Sequence, residues 1–151
     1  MERLKTHRFP VDVRWLDGKL TLASVPGKAP LPVATPPEFQ GTYEGVWSPE
    51  DLFVGAVATC FTVTLVSAAR RRHVPLRKLV VRSFGDVTRR ADGRFGFVVV
   101  ELVVELETDD GFEGEADGAV LDAEQSCLVA ASLDTPVRVH ATVTAAAKAA
   151  A

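Results

Sequence analysis

One uncharged stretch constrains the fold of this chain more than any other part of its sequence. Residues 52–69 contain no charged side chain, and apolar side chains fall on every side of a helix built from them. Ser48 can cap the first free amides of the helix. Pro49 suits the first helical position, because an amide hydrogen there would have no acceptor within the helix. Pro75 prevents continuation. A helix that is apolar all round is buried, so the stretch predicts a central core helix.

The same helix is long enough to cross a lipid bilayer. Four polar side chains dilute it, and amphipathic segments typical of strands lie on both sides of it. We therefore predict that this helix does not cross a membrane and that the protein has no membrane partner. The chain of 151 residues is 47% hydrophobic and 25% charged, which fits one well-buried core and a single domain over residues 1–151. Its net charge of −3 argues against nucleic acid as a partner.

The remaining segments alternate apolar and polar residues with the period of half-buried strands. Three short strands precede the helix, and the turn signal Asp17-Gly18 joins the first two. A long hairpin follows the helix, then a second helix over residues 119–133 and a last strand from Val137. This order predicts an α+β fold in which antiparallel sheets carry two cysteine-bearing helices.

Cys60 and Cys127 are the two cysteines, and they form neither a C-x-x-C motif nor a zinc-ligand spacing. Taken alone, cysteines on apolar helices are more often core residues than reactive ones. A reactive Cys60 would need a cation to stabilise its thiolate, and a carboxylate to hold that cation. Glu50 suits this role, because it lies roughly 80° around the helix axis and 15 Å along it from Cys60. An arginine could span that gap.

Two motifs of the chain resemble the signatures of the OsmC/Ohr family. The first is F-Q-G-T-Y-E-G-V-W-S-P-E-D-L-F-V-G-A-V-A-T-C-F, and the second is A-E-Q-S-C-L-V-A-A-S-L ahead of the last strand. The order of the predicted elements agrees with the family over nearly the whole chain. The resemblance implies an intertwined homodimer in which each site is built from both chains.

Characterised members of that family are thiol peroxidases that reduce organic hydroperoxides. The resemblance therefore implies that Cys60 is the peroxidatic cysteine, that Cys127 resolves its sulfenic acid as a Cys60–Cys127 disulfide, and that Glu50 orients an arginine. It also implies an external dithiol reductant, such as a dihydrolipoyl group, and no bound cofactor or metal. Where one branch of the family has its arginine, this chain has Glu38, and Arg14 is the nearest substitute for the arginine of the other branch. The proline usual after the second cysteine is replaced by Leu128.

A different class of function also fits these residues. The chain could be a non-enzymatic OsmC-like domain that binds a small apolar ligand at its dimer interface, with both cysteines serving as packing. An arginine near Cys60 would favour the enzyme. Because Met1 is followed by Glu2-Arg3-Leu4-Lys5 and no apolar run, we expect no signal peptide and a cytoplasmic location.

Overall fold

The computed structural model describes residues 4–147, and these residues fall into two compact units with the boundary between Leu52 and Phe53. Each unit has its own three-stranded sheet. The single domain expected over residues 1–151 stays a prediction.

The first unit is a short antiparallel meander followed by a loop. Its strands are β1 (Asp12–Asp17), β2 (Leu20–Ser24) and β3 (Leu31–Ala34), in the spatial order β1-β2-β3. The predicted turn at Asp17-Gly18 is confirmed, and Gly18 adopts a φ of 48°, which glycine tolerates best. The alternation in β1 predicted a half-buried strand. Every residue of β1 is exposed instead, and Trp15 reaches 69%.

The long helix α1 (Pro49–Arg71) begins with the cap that its sequence predicts. The Asp51 amide donates to Ser48 Oγ at 3.0 Å, and the Ser48 amide donates to Asp51 Oδ2 at 2.8 Å. These reciprocal bonds satisfy two amides that the helix itself cannot. Helix α1 ends two residues before His73, whose φ of 57° breaks the helical path ahead of Pro75.

Only one face of α1 is buried, so the prediction of a helix buried on all sides is wrong within a single chain. The buried positions recur at helical spacing: Val57, Phe61, Leu65, Ala68 and Ala69. On the opposite face Val63 is 63% exposed and Val66 is 45% exposed. Among the residues described, α1 is the one helix whose length and composition would allow it to cross a membrane, and 28% of its most apolar window is buried.

The second unit contains a mixed sheet and the two helices that follow it. Strands β4 (Leu76–Arg89) and β5 (Phe95–Thr108) form the predicted antiparallel hairpin, and β6 (Val137–Ala145) pairs with β5 in parallel. The expectation of purely antiparallel sheets is therefore wrong for this pair. A helical crossover connects β5 to β6 and returns the chain to the starting end of β5, so β6 must run in the same direction.

The second helix differs from the prediction at both ends. Helix α2 covers Glu113–Ser126, and a one-turn helix α3 covers Leu128–Ala131, with Cys127 between them rather than inside a helix. The sequence pattern does not predict a helix that begins as early as Glu113, because Gly114 and Gly118 weaken the helical pattern. Acidic residues in the first turn, Glu113 and Glu115, complement the helix dipole there.

The core of the second unit lies between α1, α2 and one face of the sheet. Alternate residues of β5 are fully buried in it, namely Val100, Leu102, Val104 and Leu106. Gly85 of β4 allows α1 to approach closely, because a Cβ atom at this position would stand 2.5 Å from Val54 Cγ2. Phe53 of the helix also stacks on Phe97 of β5, with ring centroids 4.3 Å apart. These contacts fix the height of α1 above the sheet.

Candidate active site

The structure brings together the two cysteines that lie far apart in the sequence. Cys60 is half-buried in the middle of α1, and Cys127 is 1% exposed at the junction of α2 and α3. Both are free thiols, Cys60 packs against the core cluster that contains Cys127, and each thiol affects the pKa of the other. A disulfide between two cysteines requires Cα atoms about 4.4–6.8 Å apart.

The interruption of the helix at Cys127 directs backbone amides toward both sulfurs. Cys127 is extended, with φ −67° and ψ 105°, and its carbonyl accepts the first intrahelical bond of α3 from the Ala131 amide at 2.9 Å. The amides before that one have no acceptor within the helix. The Leu128 and Val129 amides act to lower the pKa of Cys60, and the Val129 and Ala130 amides act in the same direction on the pKa of Cys127.

These donors affect the ionisation of Cys60. Burial of the thiol opposes ionisation, but hydrogen bonds from the Val129 amide, the Cys127 thiol, the Thr64 hydroxyl and the Leu128 amide outweigh it and lower the pKa of Cys60. The Thr64 hydroxyl has one proton, and its 2.7 Å bond to the Cys60 carbonyl uses that proton. The backbone amides are therefore the lasting donors to the thiolate.

Cys127 has the opposite tendency. Its pKa is raised, first by burial and then by the hydrogen bond and charge of Cys60, while the Ala130 amide only partly offsets these effects. Cys60 therefore ionises more readily than an ordinary cysteine, and Cys127 less readily. This is the division of roles that a nucleophile and a resolving thiol require.

Replacement of Leu128 tests the donated amide directly. Leu128→Pro removes one N–H from Cys60, and proline fits this site because it is the first position of α3 and Cys127 is already extended. We expect the pKa of Cys60 to rise, because its thiolate loses a donor. The rate of thiol alkylation against pH measures this shift. Leu128→Ala is the matched control, since it keeps the N–H and alters only a side chain that is 71% exposed; equal profiles for the two variants would contradict the role of the amide.

A cavity of about 280 Å³ opens beside Cys127 and does not include Cys60. Polar and apolar surface contribute about equally to its lining, and acidic side chains of α2 and of the loop before β6 are part of it. Its principal lining residues are Phe61, Glu124, Cys127, Leu133, Asp134 and Val139. No local pattern in the sequence predicts this cavity, because its walls come from α1, the α2–α3 junction and β6.

The other predicted site residues lie in the first unit. Glu50 is in the first turn of α1, and its Oε2 is buried with no hydrogen-bond partner among the residues described. Arg14 is exposed in β1 and forms no ion pair or side-chain hydrogen bond within residues 4–147. A buried carboxylate oxygen without a donor is costly, so Glu50 is suited to receive a cation. The described part of the chain contains no cluster of three metal-ligating side chains.

Comparisons with known proteins show which family and fold this chain resembles. The sequence model of the OsmC-like protein family matches residues 42–142. No curated protein matches the chain by sequence. An OsmC-like protein of unknown function from Vibrio cholerae is 15% identical with a TM-score of 0.83, over 91% of this chain and 100% of its own.

Two further structures are of organic hydroperoxide resistance proteins. The one from Elizabethkingia anophelis is 19% identical with a TM-score of 0.70, over 97% of this chain and 100% of its own. The one from Legionella pneumophila is 20% identical with a TM-score of 0.70, over 94% of this chain and 100% of its own. Similarity at these identities establishes the α+β fold, with two sheets and three helices.

Proposed function

The chain belongs to the OsmC family, and from this premise we propose that it is a thiol-dependent peroxidase that reduces organic hydroperoxides. The observation that carries the proposal is the packing of Cys60 against the core cluster that contains Cys127, where the pKa of Cys60 is lowered and that of Cys127 is raised. Two of the similar structures are of organic hydroperoxide resistance proteins, which supports the same substrate class.

The proposed reaction uses the two thiols in turn. The Cys60 thiolate attacks the terminal oxygen of the hydroperoxide, the O–O bond breaks, and the alcohol leaves after taking up a proton. Cys60 is then a sulfenic acid. The Cys127 sulfur attacks it, water leaves, and a Cys60–Cys127 disulfide forms. An external dithiol, such as a dihydrolipoyl group, restores both thiols and is itself oxidised to a disulfide.

A peroxidase assay tests the proposal. With a dithiol reductant, the protein should consume an alkyl hydroperoxide faster than hydrogen peroxide, because the surroundings of the thiols are apolar. Consumption of neither peroxide would contradict the proposal. That result would favour a non-enzymatic domain that binds a small apolar ligand, with both cysteines as packing.

Glu50 is proposed to hold a cation for the Cys60 thiolate, with Arg14 as the candidate from this sequence. Glu50→Gln should then raise the pKa of Cys60, because the cation is no longer held in place. Alkylation of Cys60 against pH measures the change. Asp51→Asn is the control, since it removes the same charge from the same helical turn. This variant should weaken the helix cap and leave the pKa of Cys60 unchanged. Equal shifts in both variants would mean that Glu50 only complements the helix dipole.

We also propose that the chain forms a homodimer through the exposed apolar face of α1. Val63 and Val66 on this face are side chains that water solvates poorly, and a second copy would cover them. Light scattering should give about twice the chain mass of 16.2 kDa. Val63→Lys should shift the protein toward monomer, whereas Leu121→Lys on the exposed side of α2 should not. A wild-type monomer at micromolar concentration would contradict the dimer.

A further inference from the structure

We propose that the cavity beside Cys127 is the binding site of the reductant, and that it admits a neutral or cationic dithiol which attacks Cys127 of the oxidised pair. This inference rests on the proposed peroxidase function, since it concerns the disulfide which that reaction forms. It assigns a site, a class of ligand and the sulfur that is attacked.

Access to the two sulfurs differs in the structure. Cys127 is among the residues that line the cavity, although it is 1% exposed, whereas Cys60 is the more exposed residue and does not line the cavity. A thiol that enters the cavity therefore meets Cys127. Its volume of about 280 Å³ is close to that of sites that hold small organic molecules. The apolar residues of the wall, among them Phe61, Leu133 and Val139, suit the hydrocarbon part of such a dithiol.

The chemistry of thiol–disulfide exchange favours the same sulfur. Exchange is faster when the thiol that leaves has the lower pKa. Attack on Cys127 expels Cys60, whose thiolate the Val129 and Leu128 amides stabilise. Attack on Cys60 would expel Cys127, whose pKa is raised by burial. The sulfur of the residue that lines the cavity is thus also the one whose attack releases the better leaving group.

The steps balance without a further reactant. The first thiolate of the dithiol bonds to the Cys127 sulfur, and the Cys60–Cys127 bond breaks to leave Cys60 as a thiolate. The second thiolate of the reductant then attacks the reductant's own sulfur in this mixed disulfide. Cys127 departs and takes up a proton, so two electrons pass from the dithiol to the protein and the reductant becomes a cyclic disulfide.

Charge sets the class of reductant. Glu124 and Asp134 both contribute to the lining of the cavity and are exposed, so that they give it a negative rim. A dithiol that carries its own carboxylate is repelled by this rim, whereas an uncharged dithiol is not. Dihydrolipoamide and dihydrolipoate form a matched pair of probes, because they have the same dithiol and differ by one negative charge.

The first experiment measures the reduction rate of the disulfide with each probe. The protein is oxidised with diamide, and the Cys60–Cys127 bond is confirmed by mass spectrometry before any reductant is added. We expect dihydrolipoamide to react faster than dihydrolipoate. The double variant Glu124→Gln, Asp134→Asn should increase the rate of reduction by dihydrolipoate by about three- to tenfold. The rate of reduction by dihydrolipoamide should stay nearly unchanged. Asp117→Asn, an exposed change of charge on α2 outside the cavity, should alter neither rate.

The second experiment identifies the sulfur that is attacked. The oxidised protein reacts with 2-mercaptoethanol in the presence of iodoacetamide, which traps the cysteine that is released. We expect alkylated Cys60 and a mercaptoethanol adduct on Cys127; the reverse pattern would overturn the inference. Equal reduction rates for the wild type and the double variant with dihydrolipoate would also overturn the inference. That result would fit a cavity that holds some other apolar ligand. Failure to form the disulfide at the oxidation step would instead contradict the peroxidase function itself.

Discussion

Cys60→Ser should abolish the consumption of organic hydroperoxide. No other thiol can take its place, because Cys127 is the second of two cysteines, is almost fully buried, and has a raised pKa. A serine hydroxyl in the same surroundings stays protonated at neutral pH and does not attack the peroxide oxygen. Loss of the remaining hydroperoxide over time, followed with a peroxide-sensitive dye, measures the effect.

Cys127→Ser should give a different result that separates the two roles. The first oxidation of Cys60 should proceed, so that about one equivalent of hydroperoxide disappears and a sulfenic acid accumulates. Further oxidation to sulfinic acid should follow, because nothing resolves the intermediate. Mass spectrometry of the intact protein distinguishes these states. If both cysteine variants consume hydroperoxide at the wild-type rate, the cysteines are structural.

Phe61→Ala should cause the largest loss of stability that a single change in α1 can produce. The Phe61 ring is 1% exposed and belongs to the core between α1 and the sheet. Truncation of a buried phenylalanine costs about 3–5 kcal/mol, because apolar burial is lost and a cavity remains. A domain of this size has about 5–15 kcal/mol of stability in total. The unfolding midpoint in urea should therefore fall sharply.

The control for this prediction is Leu121→Ala in α2. Leu121 is 59% exposed, so its truncation leaves no internal cavity and should change the free energy of unfolding by no more than about 0.5 kcal/mol. Phe61 also lines the cavity beside Cys127, so Phe61→Ala should alter disulfide reduction as well as stability. Similar midpoints for the two variants would mean that Phe61 is not part of a tightly packed core.

The elements of the fold that have local signals could be predicted from the amino-acid sequence. The cap at Ser48 and Asp51, the length of α1, the turn at Asp17-Gly18 and the order of strands and helices follow from hydrogen bonds and side-chain periods within a few residues. The two motifs around Cys60 and Cys127 indicated the family. They did so because the spacing of small, acidic and cysteine residues within a helix is itself a local property.

The way in which these elements pack together depends on contacts between distant parts of the chain. The direction of β6 depends on the crossover after β5, and the exposed face of α1 depends on which elements pack against it. The break at Cys127 has no glycine or proline beside it, so no local signal announced it. Yet that break directs the Leu128 and Val129 amides to Cys60 and opens the cavity beside Cys127. The different chemistry of the two thiols therefore comes from contacts between residues more than sixty positions apart, which a local pattern cannot encode.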